Sequence, residues 1–322
     1  MSFLIHRKEI SFIRFRLFQI NREKGITFMV YDAFIEKMME TVRKEFTEET
    51  EVNLTTVQKN NGVMLKGLMI KEKGVNTAPA IYLEAYYQMY REGKSLGEIL
   101  KDFMLAYREA RQRGEFDVRL FTQFEKARHR ILYKLVNYER NVELLEQIPH
   151  VRFLDLAVVF YYLVEKQHMG SAIILIRNTH MEYWGVDCDE IYGWAKKNTP
   201  TQMPSEIMRM SELLQETLDI EVPLEQDAPM YILSNSQRNL GASCMLYPDI
   251  LKNFGGMIRN DFYILPSSIH EVILLPVCEA ENPVILQEMV KEVNQSQVEL
   301  QEQLSDQVYL YERETARVKI CC

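Results

Sequence analysis

The stretch Ser267-Ser268-Ile269-His270-Glu271 sets hydroxyls, an imidazole and a carboxylate side by side, the residue types of a nucleophile, a base and an orienting acid. The apolar pattern continuing to Pro276 predicts a strand over 269–276. If that strand extends back through Ser268, then Ser268 and His270 share one face and Glu271 points to the other, so the three do not converge unaided. An acid from elsewhere, such as Asp155, would have to meet His270 for it to act as a base. The run Pro149-His150-Val151-Arg152-Phe153-Leu154-Asp155 leads into a strongly apolar segment and adds a second imidazole and that acid. His270, Ser268, His150 and Asp155 are therefore the candidate catalytic residues of a hydrolase assembled from distant positions. The plainer reading makes His270 a hydrogen-bonded histidine at a sheet end and makes the polar groups near Asp155 partners for a strand start.

Other candidate chemistry reduces to structure. Gly93-Lys94-Ser95 ends like a phosphate-binding loop, but the position that needs the first glycine holds Gln88 and a helix precedes it. A helix stop followed by a helix start accounts for the same three residues. His129 lies in a basic patch with Arg128 and Arg130, and His168 lies in a turn; neither has a partner at metal-ligand spacing. The five cysteines form no CxxC pair, and Cys321-Cys322 lacks a prenylation pattern. The 17 methionines and 17 tyrosines fall on helical stripes, as core residues do. No cofactor and no metal are expected.

Charge narrows the partners. The 322 residues carry a net charge of −8, which opposes a phosphate backbone and argues against nucleic acid. The first 28 residues hold six of the 38 basic and two of the 46 acidic side chains, leaving 32 and 44, or −12, for 29–322. That leader has neither the unbroken apolar stretch nor the cleavage site of a signal peptide. Codons for Glu23-Lys24-Gly25 can spell a ribosome-binding sequence, so Met29 is the expected start. An amphipathic basic arm on a membrane surface is the rival reading. Composition and scattered thiols point to a cytoplasmic location.

The elements that must position these residues alternate. A helix is predicted over 29–46 with Asp32 as N-cap, then a hairpin of 52–58 and 63–70 turned by Asn60-Asn61-Gly62. A helix over 80–91 stops at Gly93, and Ser95-Leu96-Gly97-Glu98 is a capping box opening a helix to about 113. After an ambiguous 121–139 and a short helix over 141–147, two buried antiparallel strands, 154–164 and 171–176, flank a turn at 167–170. Thr179-His180-Met181-Glu182 and Asp187 to Glu190 read as further helix starts. Strands over 230–233, 242–247, 262–265 and 269–276 follow, with a helix over 248–254 ended by Gly255-Gly256. A helix over 284–298 and a hairpin over 308–320 close the chain.

The fold class is α+β, with mixed, largely antiparallel strands and packed helices. The acidic, proline-bearing stretch 219–229 separates a region over 29–218 from one over 230–322, giving room for two subdomains. The phrases ILYKLVNYERNVELLEQIPHVRFLDLAVVFY (131–161), AIILIRNTHMEYWGV (172–186), PMYILSN, GASCMLYP and YILPSSIHEVILLP resemble the domain-of-unknown-function 5688 family of gut Gram-positive bacteria. The resemblance runs from about Met29 to the end and implies a cytoplasmic protein of one layout, with no activity to carry onto any position. The expected function is non-catalytic, through a protein partner or a small ligand, with the dispersed hydrolase as the alternative.

Overall fold

A computed structural model of the chain describes residues 28–74, 78, 80–112, 121–165, 172–218, 230–280 and 282–321. Residues 1–27 of the leader, the turn at 167–170, the stretch 219–229 and Cys322 lie outside the described residues. The described chain divides into two compact units, 28–59 with 63–112, and 60–62 with 121–321.

The smaller unit runs α1 (Tyr31–Arg43), β1 (Glu51–Gln58), β2 (Met64–Lys71), β3 (Ala80–Tyr82), α2 (Glu84–Arg91) and α3 (Leu96–Gln112). The three strands form an antiparallel sheet in the order β1-β2-β3, with Leu54 opposite Leu68 and Gly67 opposite Tyr82. Helical spacing brings Phe34, Met38 and Val42 of α1 onto Val52, Leu68 and Ile70, and Ile99 and Phe103 of α3 complete the core. Tyr86, Tyr87 and Tyr90 pack on it, whereas Tyr82 lies on β3. Ala80–Tyr82 is a strand and not a helix start, because the outer edge of β2 needs backbone partners there. Val30, not Asp32, is the N-cap of α1, and the Asp32 carboxylate instead meets Lys66 at 2.9 Å.

Gly93-Lys94-Ser95 is a helix stop joined to a helix start. Gly93 takes φ +100°, and Lys94 N–H and Gly93 N–H donate to Met89 O and Tyr90 O, each at 3.0 Å. Ser95 Oγ then accepts from Glu98 N–H at 3.3 Å, while Glu98 Oε2 accepts from Ser95 N–H at 3.0 Å.

The larger unit begins with α4 (Phe124–Ala127), β4 (Ile131–Asn137), α5 (Val142–Leu145), β5 (His150–Phe153), β6 (Leu156–Glu165) and β7 (Ala172–Leu175). It continues through α6 (Asn178–Trp184), α7 (Cys188–Gln202), β8 (Ser205–Arg209), α8 (Met210–Leu218) and β9 (Tyr231–Asn235). It ends with α9 (Ile250–Ile258), β10 (Phe262–Leu265), β11 (Val272–Pro276), α10 (Pro283–Ser296), β12 (Tyr309–Glu312) and β13 (Arg317–Ile320). In one sheet β6 lies between β4 and β5 and also pairs with β7; the other has the order β13-β12-β10-β11-β9-β8. The described pairings are antiparallel.

Alternation along the strands builds the core. Ile131, Tyr133 and Leu135 of β4 join Val158 and Phe160 of β6, and Phe262, Ile264 and Leu274 of the six-stranded sheet face the same cluster. Ala157 and Val159 point the other way onto Leu144, Leu145 and Ile148. Both faces of β6 are covered, which is why its sequence is one apolar run. On the far face of the six-stranded sheet, Tyr263, Leu265 and Leu275 take Leu286 and Val290 of α10.

Several local expectations give way to tertiary contacts. Residues Gly241–Leu246 form a 3-10 helix where a strand is predicted, since Leu240 turns the chain at φ +56° and Gly241–Met245 are all buried. Helix α9 passes through Gly255-Gly256, because Gly255 packs under the rings of Tyr311 and Phe262, and it stops at Arg259 in the left-handed region. The N-cap of α6 is Arg177, two residues before Thr179; Asn178 N–H donates to Gln147 O at 3.0 Å and His180 Nδ1 accepts from Arg177 N–H at 3.0 Å. Asp187 caps α7 as expected, accepting from Glu190 N–H at 2.8 Å. The units do not part at 219–229: β8 and β9 on either side of it pair in one sheet, with Ile207 opposite Leu233, and the division falls between 112 and 121. Among the described residues no helix is long and apolar enough to cross a membrane.

Two outcomes follow from this packing. A Cβ on Gly241 would lie 2.2 Å from Ser234 Oγ, 2.5 Å from His270 O and 2.7 Å from Asn235 N. Gly241→Ala should therefore lower unfolding free energy by about 3 kcal/mol in urea titration, and an unchanged midpoint would contradict the close approach. Burial pushes the hydroxyls of Tyr133, Tyr161, Tyr247 and Tyr309 above the ordinary phenol range. A group whose folded pKa is raised contributes fully below its unfolded pKa, so stability should hold to about pH 10 and fall above it. Alkaline unfolding followed by tyrosinate absorbance and circular dichroism checks this, the two signals changing together.

Candidate functional site

Three of the four candidates, Ser268, His270 and Asp155, lie against one irregular segment of the larger unit, residues 298–306, between α10 and β12. The β10–β11 connection lies against it: Leu304 N–H donates to Ser267 O at 3.0 Å, Ser305 N–H to Pro266 O at 2.9 Å and Ile269 N–H to Glu302 O at 2.9 Å. Ser268 makes an isolated bridge with Gln303, so 267–271 is a turn and not the start of β11.

Ser268 and His270 are brought together through the backbone. Ser268 Oγ accepts the His270 N–H at 3.0 Å, which tightens the turn. The His270 ring faces elsewhere: Nδ1 accepts the Leu240 N–H at 3.2 Å, and Nε2 is 3.8 Å from Glu302 Oε1. With Nδ1 committed as acceptor, the neutral ring carries its proton on Nε2. His270 O also accepts from Ser234 Oγ at 2.8 Å, at the point where Gly241 passes.

Asp155 sits across the segment from that turn, in the β5–β6 hairpin beside Leu154 at φ +54°. Its Oδ1 accepts from Tyr309 Oη at 2.5 Å and its Oδ2 from Ser305 Oγ at 2.6 Å. Burial, together with the Asp155 charge, drives the Tyr309 hydroxyl well above its usual pKa, so it stays a donor. His150 is on β5, with Nδ1 3.1 Å from Ile148 O and its ring edge-on to Tyr138. Ser268 and His270 are thus neighbours, Asp155 meets Ser305 and Tyr309, and His150 belongs to its own turn.

A set of amides that the sequence reading passed over holds the segment. Asn61 Nδ2 donates to Leu300 O at 2.6 Å and Gln303 O at 2.8 Å, and its N–H donates to Asn141 Oδ1 at 2.8 Å. Asn141 returns a bond to Asn61 Oδ1 at 2.9 Å and reaches Asn137 O at 2.8 Å. Asn137 donates to Leu304 O at 3.0 Å, and Asn294 to Ser305 O at 3.0 Å and Asp306 Oδ1 at 2.7 Å. Arg140 binds Gln303 Oε1 at 2.8 Å and pairs with Asp306. Two signals were available: Asn137 closes an apolar strand, and Asn294 occupies a core position of an amphipathic helix.

This arrangement supplies amide donors and acceptors, with no pairing of Ser268 Oγ to a ring nitrogen. Among the described residues no cluster of His, Cys, Asp or Glu could hold a metal ion. Burial raises the Cys244 thiol to about 12 and also raises the Cys188 thiol, which keeps both protonated.

Asp155→Ala should cost about 3 kcal/mol, because the buried Tyr309 hydroxyl loses its acceptor, and Asp155→Asn about 2 kcal/mol. Urea titration of both variants checks the order; two unchanged midpoints would show that the carboxylate does not hold the fold.

No curated protein and no solved structure matches the chain. A family model, described as a family of unknown function (DUF5688), matches residues 31–313. That match takes in both compact units, and the chain belongs to this family of unknown function.

Proposed function

We propose that the chain is a non-catalytic protein that works by binding a protein partner. The observation that carries this reading is the outer face of α10. Val284, Ile285 and Met289 are 54%, 44% and 54% exposed, while Leu286 and Val290 of the same helix are buried against the sheet. Apolar side chains grouped on a rigid, anchored helix are what an interface core uses, and methionine is enriched there. Glu288, Lys291 and Glu292 supply a polar rim on the same helix.

The bonds around the candidate catalytic residues support the same side. Both Asp155 oxygens accept structural hydroxyls, and the His270 Nδ1 accepts a backbone N–H. A dispersed hydrolase would need an imidazole nitrogen free to take the Ser268 proton.

A protein partner should be recovered with the unmodified chain in a pull-down, and Ile285→Glu with Met289→Glu should leave stability within about 0.5 kcal/mol, since both side chains are exposed, yet abolish that recovery. Undiminished recovery with the doubly substituted chain would remove α10 as the binding face.

A further inference from the structure

We infer that the surface around Trp194 docks a carboxylate-rich segment of a protein partner; this rests on the partner-binding reading and names the chemistry of the partner. The basic triplet Arg128-His129-Arg130 occupies a 3-10 turn pinned to α7. Asn198 Nδ2 donates to Arg128 O at 2.7 Å and to Ile131 O at 2.9 Å, and Gln202 Nε2 donates to His129 O at 2.6 Å. The turn therefore holds its side chains in a fixed place beside the second half of α7.

Arg128 and His129 meet one ring, while Arg130 Nη1 donates to Val164 O at 2.7 Å. The Arg128 guanidinium lies 4.4 Å and the Lys197 ammonium 5.3 Å from the centre of Trp194, and His129 meets the ring edge-on at 5.1 Å. Next to it, Lys196 lies 4.4 Å from the centre of the Tyr192 ring. Lys126, Arg130, Lys196 and Lys197 are exposed, and among the described residues none has a carboxylate partner. Glu125, bound to Arg128 at 2.8 Å, is the acid paired within the patch. In a chain of net charge −8 this is a local reversal of sign, held in place by aromatic rings.

Charge complementarity selects an anionic partner, and two observations favour acidic protein over nucleic acid. The face of Trp194 that could stack a base already carries Arg128 and Lys197. The net negative charge of the chain opposes a polyanion as dense as a phosphate backbone more than it opposes a short segment with a few carboxylates. Flexible carboxylates reach exposed side chains and pair with lysines that have no carboxylate of their own among the described residues.

The test measures fluorescence polarisation of a labelled glutamate-rich peptide with the full chain, beside a thymidine oligonucleotide of equal charge. The peptide should bind, weaken as salt is added, and weaken about tenfold or more with Lys196→Glu, Lys197→Glu and Arg130→Glu combined. Binding should survive Ile285→Glu with Met289→Glu. Tighter binding of the oligonucleotide would assign the patch to nucleic acid and overturn the inference, as would failure of the peptide to bind or indifference to the three reversals. A chain that keeps its co-purifying partner but ignores the peptide sinks this inference alone. A chain that binds the peptide and recovers no partner sinks the partner-binding reading instead.

Discussion

The larger unit depends on satisfying the backbone of residues 298–306. This segment carries the chain from α10 to β12 without a regular ladder, and β12 lies second in the six-stranded sheet, paired to β10. Carbonyls enclosed in such a segment need donors, because an unpaired buried polar group costs roughly as much as a lost hydrogen bond. Asparagine meets that need because its amide offers two donors and an acceptor in a short, uncharged side chain. Asn61, Asn137 and Asn294 supply those donors from three separate places in the sequence, and the mutual pair between Asn61 and Asn141 fixes the orientation of both amides. Replacing one by leucine would strand its partners, whereas a single exposed salt bridge elsewhere contributes at most about 1 kcal/mol.

The same constraint explains why Ser268, His270 and Asp155 look catalytic in the sequence. Each is polar because a strand end or hairpin beside this segment needs a bond: Ser268 for the turn, His270 for the Leu240 N–H, Asp155 for Ser305 and Tyr309. A hydroxyl, an imidazole and a carboxylate are equally good at structure and at proton transfer, and residue type alone does not separate the roles.

Elements whose stabilising contacts are local were legible in the sequence. The capping box at Ser95, the Asp187 cap, the hairpin around Asn61 and the amphipathic α10 all follow from neighbours within a few residues. What could not be read depends on distant partners. Gly241–Leu246 coils because its small side chains fit against β9 and the His270 carbonyl, and Gly255 stays helical because the Tyr311 ring lies on it. The division of units was misplaced because the composition of 219–229 says nothing of β8 pairing with β9. The asparagine cluster was hidden for the same reason: Asn61 and Gln303 are 242 positions apart. Only Asn137 and Asn294 stand out of place in apolar surroundings in the sequence.

Buried ionisable groups and exposed ones sit in opposite surroundings. Inside, burial raises Tyr133, Tyr161, Tyr247 and the Cys244 thiol, so these groups remain neutral and pack, and the Tyr247 hydroxyl donates to Met203 O at 2.9 Å. Outside, the lysines near Trp194 have no carboxylate partner among the described residues, and α10 leaves three apolar side chains in water. Neither surface feature stabilises the fold: exposed apolar area gains nothing until covered, and like charges held together repel. Both cost little as long as the scaffold beneath them is rigid, which Leu286 and Val290 provide for α10 and the Asn198 and Gln202 amides for the basic turn. On the proposed partner-binding reading, these anchored surface features are what the scaffold presents.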